Sequence, residues 1–396
     1  MSKKIFAIST LLLVLVVGAI FVYNFAFKKP AASTNSNADK ATAKTAQEGM
    51  TPDKTTAQAD TPKTSPTSNL SVSAVSDEPV FGAALSADGN SLYYFLRNNG
   101  QLNQADLNGK LEKVLSTEKF TNLKKITWNK PKNKVIIKTE SAPGKSKFLY
   151  FDIPGKKVSV LKENLDSVAW SNLGDKIIYK YYDPKTKKRT VSTADPDGKN
   201  WTDLTEFNYQ GVEISPIPSS SDISFWPSPN AFTPTSVNSI SFGGGAKKEI
   251  LKDKFGADLL WSPDGSQAAV SFTDQKGGHK TELALMNSQG GEFQSLGFAT
   301  FATKCAWSTD SKYLFCALPG NIPDTAILPD DWQASKISTS DTFWKVEAAT
   351  GKKDRLVDPE KIGGTYDALF PFLSKDEKSL FFVNKADGKL YKLTFN

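Results

Sequence analysis

The sequence predicts an all-β propeller held on a membrane anchor, and three observations lead there. An apolar run, a short polar turn and a second apolar run recur along residues 70–396. The recurring turns are anchored at 85, 128, 170, 214, 261, 307 and 373, at spacings of 43, 42, 44, 47, 46 and 66 residues. Periods in the forties suit a propeller blade of four strands. Finally, residues 5–27 form an uncharged, mostly apolar run of 23 residues. The expected architecture is seven four-stranded blades, with six as the alternative, behind one transmembrane helix and a disordered linker.

The N-terminal segment, residues 1–29, reads as a signal anchor spanning 5–27. A run of that length crosses a hydrocarbon core of about 30 Å. It continues through Phe25 and Phe27 into Lys28 and Lys29 without the small-residue pattern that precedes signal cleavage. The alternative is a cleaved signal peptide, with the mature chain starting near Ala31. Lys3 and Lys4 face Lys28 and Lys29 across the span, so the positive-inside rule has little to act on. The short N-terminal tail is expected in the cytoplasm, with the rest of the single-pass chain outside it.

Thr, Ser, Ala, Lys, Gln and Pro dominate residues 30–69, with Met50 the only large apolar side chain among them. Such a stretch cannot bury enough apolar surface to offset its conformational entropy, so it reads as a disordered linker. The formal net charge of +7 is shared between this N-terminal part, at +4 over residues 1–69, and the remainder, at +3. A nucleic-acid footprint requires a clustered basic patch in the folded domain. The mixed distribution here argues against that partner.

The clearest repeat is Leu259-Leu260-Trp261-Ser262-Pro263-Asp264-Gly265, followed by an apolar run through Val270. Cys305-Ala306-Trp307-Ser308-Thr309-Asp310 and Val168-Ala169-Trp170-Ser171 open two further copies, and weaker ones centre on Leu85, Trp128, Ile214 and Leu373. Trp128, Trp170, Trp261 and Trp307 read as core. Each repeat then runs to a Gly-centred turn, such as Asp195-Pro196-Asp197-Gly198 before Leu204-Thr205. Asp and Gly suit tight turns that need positive φ or an Asx hydrogen bond.

Trp-Ser-Pro-Asp-Gly at 261–265 and the Asp-Pro-Asp-Gly to Leu-Thr segment at 195–205 resemble the repeat of TolB-type β-propellers. The likeness spans residues 70–396, and repeats one, two, four and seven depart from the pattern. It implies the architecture. It leaves function open, since such propellers serve as protein-binding platforms, substrate gates of peptidases and appendages of lytic enzymes.

The seventh repeat holds only two strands after its anchor, at 380–383 and 390–393, before the chain reaches Asn396. Residues 70–76 alternate apolar and polar side chains as a half-buried strand does. They are expected to pair with residues 389–395 and cover the exposed edge of the last blade.

Catalytic chemistry is sparse. His279 is the sole histidine, in a Gly-rich loop, and there is no G-x-S-x-G elbow. One His and two Cys do not make a four-ligand zinc site. Asp195-x-Asp197-Gly198 lacks the ligand spacing of a calcium loop and reads as a turn. No catalytic residue, metal or cofactor is assigned, and the chain reads as a non-enzyme. If Trp307 pairs with Leu314 across the turn, Cys305 falls opposite Cys316. That register leaves a disulfide or two packed thiols as the readings.

Ligand contacts are expected in irregular loops on one end of the ring. In repeat six the connection after the second strand grows into Leu318–Asp341, carrying Asp330, Asp331 and Trp332. In repeat four, Pro227–Pro234 carries Phe232 in the same place, and the His279 loop of repeat five lies between. Trp332, Asp330, Asp331, Phe232 and His279 are the candidate contacts, with Trp332 open to a second reading as a plug for its own insertion. Asp166, Asp258 and Asp367, near the starts of inner strands, read as channel-mouth residues or loop caps.

The functional expectation is therefore a membrane-tethered, extracytoplasmic protein-interaction or scaffolding module, its partner a protein or surface polymer. Two other classes stand beside it: a glycan- or peptide-processing propeller enzyme using channel carboxylates, and a purely structural component of a surface assembly.

Overall fold

The computed structural model describes residues 71–395. The expected anchor at 5–27 and the linker at 30–69 lie outside these residues, and no helix among the described residues is long and apolar enough to cross a membrane. What is described is an all-β, propeller-like fold with a few short helical turns.

The first strand, β1 (Val72–Ala74), stands apart from the strands that follow it in sequence. Next come β2 (Val80–Leu85), β3 (Ser91–Leu96), β4 (Leu102–Asp106) and β5 (Leu111–Ser116), which form one sheet. A second sheet holds β6 (Leu123–Trp128), β7 (Lys134–Ala142), β8 (Lys145–Asp152) and β9 (Lys157–Val160). A third holds β10 (Leu165–Trp170), β11 (Ile177–Tyr182), β12 (Arg189–Ala194) and β13 (Thr202–Glu206). Repeats four and five share one seven-stranded sheet: β14 (Val212–Pro216), β15 (Asp222–Pro227), β16 (Pro234–Ser241), β17 (Lys248–Trp261), β18 (Gln267–Thr273), β19 (Thr281–Asn287) and β20 (Gln294–Phe298). Repeat six gives β21 (Cys305–Trp307), β22 (Tyr313–Leu318), β23 (Thr342–Glu347) and β24 (Lys353–Arg355). The last sheet holds β25 (Ala368–Leu373), β26 (Ser379–Asn384), β27 (Leu390–Thr394) and, at its edge, β1.

Val72 pairs with Leu393 and Ala74 with Tyr391 in an antiparallel ladder, and the Val75 amide donates to the Leu390 carbonyl at 2.8 Å. Val72 and Val75 are buried. The first described strand thus covers the edge of the last sheet, where a bare ladder would offer itself to other chains.

The turn between the first two strands of each repeat is built by its own side chains. Ser262 Oγ donates to Asp264 Oδ1 at 2.6 Å, and the Gln267 amide returns to Ser262 Oγ at 3.2 Å. Ser86 with Asp88, Ser308 with Asp310 and Ser374 with Asp376 repeat the arrangement. Each closes a short side-chain ring that satisfies backbone donors the turn would leave unpaired. Gly265 has φ 73°, and a Cβ there would lie 1.8 Å from the Pro218 carbonyl oxygen of the preceding repeat. Its missing side chain lets two turns touch.

The repeated tryptophans bind neighbouring repeats together. Trp128 Nε1 donates to the Gly82 carbonyl at 2.7 Å, Trp170 Nε1 to Thr127 at 2.8 Å and Trp307 Nε1 to Leu260 at 2.9 Å. Trp261 Nε1 reaches Ser224 Oγ at 2.8 Å. Every donor stands at the end of an innermost strand, and every acceptor lies one repeat back. The apolar core follows the same logic: Ile136, Phe148 and Tyr150 of the second sheet pack with Trp170, Ile177 and Tyr179 of the third. Because this cluster lies between two sheets, neither repeat can bury that face alone.

Candidate functional site

Three connections between second and third strands meet at one end of the ring: residues 227–234, 273–281 and 318–342. Their backbones are cross-tied. The Gly277 amide donates to the Ala231 carbonyl at 2.8 Å, and the Leu328 amide to the Gly278 carbonyl at 3.0 Å. His279 Nδ1 lies 2.8 Å from the Ala326 carbonyl, and the Ala231 amide donates to Asp330 Oδ1 at 3.0 Å. Gly256, at φ 60° in the bulged start of β17's inner segment, would put a Cβ 2.6 Å from Pro329 Cδ. The insertion therefore lies directly against the backbone of repeat five.

The five expected contact residues divide. Phe232 is 48% exposed and sits over Gly277. His279 is exposed, with one ring nitrogen held by the Ala326 carbonyl. Asp330 and Asp331 turn their carboxylates inward, Asp330 to the Ala231 amide and Asp331 to the Ile327 amide and to Lys336 Nζ at 2.8 Å. Trp332 is 4% exposed and lies flat on Phe301, ring centroids 4.4 Å apart. It is the plug of its insertion and presents no surface to a ligand.

Beneath Trp332 is a charged cluster that the sequence reading missed. Lys304, fully buried, donates to Asp341 Oδ2 at 2.6 Å, Asp367 Oδ1 at 2.8 Å, Thr339 Oγ1 at 3.1 Å and the Ala368 carbonyl at 3.1 Å. Trp332 Nε1 donates to Asp367 at 3.0 Å. Burial pushes the Asp341 carboxyl above its usual range. Burial acts the same way on Asp367, but Lys304 and the donors around it prevail and hold that carboxyl low. One ammonium thus serves two carboxylates and pins the insertion to β25. Asp367 is a buried anchor and not a channel-mouth group.

Asp258 accepts from Trp226 Nε1 at 3.2 Å and from the Leu259 amide at 3.0 Å. Burial, with the nearby Glu213 carboxylate adding, pushes it up to about 6. Phe370 was also missed. It is 66% exposed at the bulge of β25, with φ 49°, and its neighbour Leu369 packs on the Trp332 cluster. A bulky side chain in the left-handed region is a costly outlier. The signal in sequence was a pair of Phe residues flanking Pro371 within an inner strand.

Cys305 and Cys316 pair across β21 and β22 and form a disulfide, Cα atoms 4.1 Å apart. Among the described residues no group of three or more His, Cys, Asp or Glu side chains is arranged to hold a metal ion.

No protein-family model matches the chain, and no curated protein matches it in sequence. Solved structures match its shape. An oligogalacturonate lyase in complex with manganese superposes with TM-score 0.58 at 14% identity, covering 82% of this chain and 93% of that one. The β-propeller domain of the trilobed protease from Pyrococcus furiosus superposes with TM-score 0.52 at 11% identity, over 79% and 92%. TolB from Acinetobacter baumannii overlaps 55% of this chain and 54% of its own, with TM-score 0.40 at 16% identity. The first two likenesses establish a propeller fold and, at such identities, nothing about activity; the third is too partial to argue from.

Proposed function

We propose that the chain is a seven-bladed, membrane-tethered, extracytoplasmic propeller that works as a protein-interaction module, and that the loops of repeats four to six are its docking face. The seven-blade reading takes the 14-residue strand β17 as the outer strand of one blade and the inner strand of the next. The Trp-Ser-Pro-Asp-Gly likeness to TolB-type repeats and the apolar run at 5–27 belong to the same reading.

The observation that carries the proposal is the rigidity of the loop cluster. Three irregular connections are cross-bonded by backbone and side chain, underpinned by Trp332 and Lys304, and they leave Phe232 exposed on top. A pre-ordered surface loses little entropy on association, and an exposed aromatic is the usual anchor of a hot spot. Phe370, strained and exposed at the same end, is the second anchor. The oligogalacturonate lyase likeness raises a second reading, a glycan-processing propeller, and the raised Asp258 beside Glu213 is the observation that favours it.

Crosslinking in intact cells followed by mass spectrometry tests the binding reading. A partner recovered with the wild-type chain and lost with Phe232→Ser plus Phe370→Ser supports it. Recovery unaffected by the double substitution refutes the assignment of the face.

A further inference from the structure

Beside the loop cluster, between repeats two, three and four, a cavity of about 280 Å³ opens among the innermost strands and takes in Ser228 of the 227–234 connection. Lys125, Lys138, Asp166 and Glu213 line it, with Phe148 and Val168 as apolar wall. A second cavity of about 220 Å³ shares Asp166 and adds Lys180, Tyr182 and Arg189. The two together bring four cations to two carboxylates.

Both carboxylates are already engaged. Glu213 lies 3.7 Å from Lys125 Nζ and accepts from Ser228 Oγ at 3.3 Å. Asp166 pairs with Lys180, a lysine buried to 1% exposure inside the apolar strand β11. Burial, with Arg189 and Lys138 adding, pushes Lys180 down to about 8. Lys138 is different. Its Nζ reaches the Asp166 backbone carbonyl at 3.2 Å and hangs 5.5 Å over the Phe148 ring, and no carboxylate of the described residues lies within 4.0 Å of it. Arg189 likewise stacks on Tyr182 at 4.7 Å and has no carboxylate partner among the described residues.

A half-buried ammonium with no carboxylate in direct contact is costly: burial together with Lys125 holds the Lys138 amine below its usual range, against the opposing pull of the more distant Glu213 and Glu140. An anion in the cavity would remove that cost. We infer that this cavity is a binding site for a small oxyanion, carboxylate or phosphate, held by Lys138 with Lys125 beside it. Lysines here act as point charges, without the fork that would select one planar geometry, so both anion types satisfy the site. The inference stands on the charges of the cavity, which shares Ser228 with the 227–234 loop, and does not depend on what that loop face binds.

The test is calorimetric titration of the detergent-solubilised full chain with citrate and, separately, inorganic phosphate, at ionic strength held constant with sodium chloride. Saturable binding of at least one probe is expected. Lys138→Gln should weaken it about tenfold or more, since hydrogen bonds to charged groups are worth about 1.5–3 kcal/mol, and Lys138→Arg should retain it. An unchanged urea midpoint for Lys138→Gln without probe shows that the variant is folded. Binding of citrate alone identifies a carboxylate site, and of phosphate alone a phosphate site. Failure of both probes, or equal binding by folded Lys138→Gln, overturns the inference.

Discussion

Replacing Lys304 with Met removes the one cation that two buried carboxylates share. Lys304 Nζ shares its three N–H donors among four acceptors, at 2.6, 2.8, 3.1 and 3.1 Å, and both Asp341 and Asp367 are almost completely buried. Deleting one partner of a buried pair costs about 3–5 kcal/mol because the remaining charge stays desolvated. Here two charges are left, so the upper half of that range is expected. The orphaned carboxyls must then titrate above their unfolded range. Groups with a raised folded pKa contribute stability at low pH and lose it as pH rises, so the gap between Lys304→Met and wild type should narrow at pH 4 and widen at pH 7. Adding Asp341→Asn, which removes one orphan, should recover part of the loss. Urea unfolding followed by far-UV circular dichroism at the two pH values reads all three effects. A loss under about 1 kcal/mol at pH 7, or a gap independent of pH, would refute the claim that this ion cluster holds the insertion to β25.

Trp170→Phe deletes the indole donor to the Thr127 carbonyl and should cost about 1–2 kcal/mol in the same denaturation assay. Trp201→Phe, at a residue 44% exposed, should stay within about 0.5 kcal/mol. Gly265→Ala forces a side chain into left-handed backbone against the Pro218 carbonyl; more than about 2 kcal/mol should be lost, well beyond the conformational term alone. Asp258 carries a proton in the folded chain between pH about 4 and about 6 that the unfolded chain has released, so its contribution to stability falls as pH rises through that window. Asp258→Asn keeps the acceptor for Trp226 and should be more stable than wild type at pH 7 by about 1–2 kcal/mol, discounted for partial exposure, with no difference near pH 4.

The repeat was legible because its signals are local. Leu85, Trp128, Trp170, Trp261, Trp307 and Leu373 are the last residues of innermost strands, where one turn chemistry and one packing demand recur. The loops after the second strands were legible too, as breaks in that period. Their interiors were not. Trp332 looks like a surface anchor in sequence, and only the stacking on Phe301 and the bond to Asp367, 35 residues on, show it as a plug. Lys304 meets Asp367 across 63 residues, a pairing no local pattern encodes. Lys180, a charge inside Ile-Ile-Tyr-Lys-Tyr, was a visible anomaly that points to the second cavity, which shares Asp166 with the first. The merging of repeats four and five through β17 depends on one strand running on through a bulge, which spacing alone does not reveal.

The docking face is tested most directly by placing a photo-crosslinking amino acid at single positions of the full chain in living cells. Positions 232 and 370 sample the proposed face, and position 173, where Leu173 is 76% exposed in the turn between β10 and β11, samples the opposite end. The same protein adduct from 232 and 370, with none from 173, is the predicted result. Equal adducts at all three positions, or an adduct from 173 alone, would contradict it.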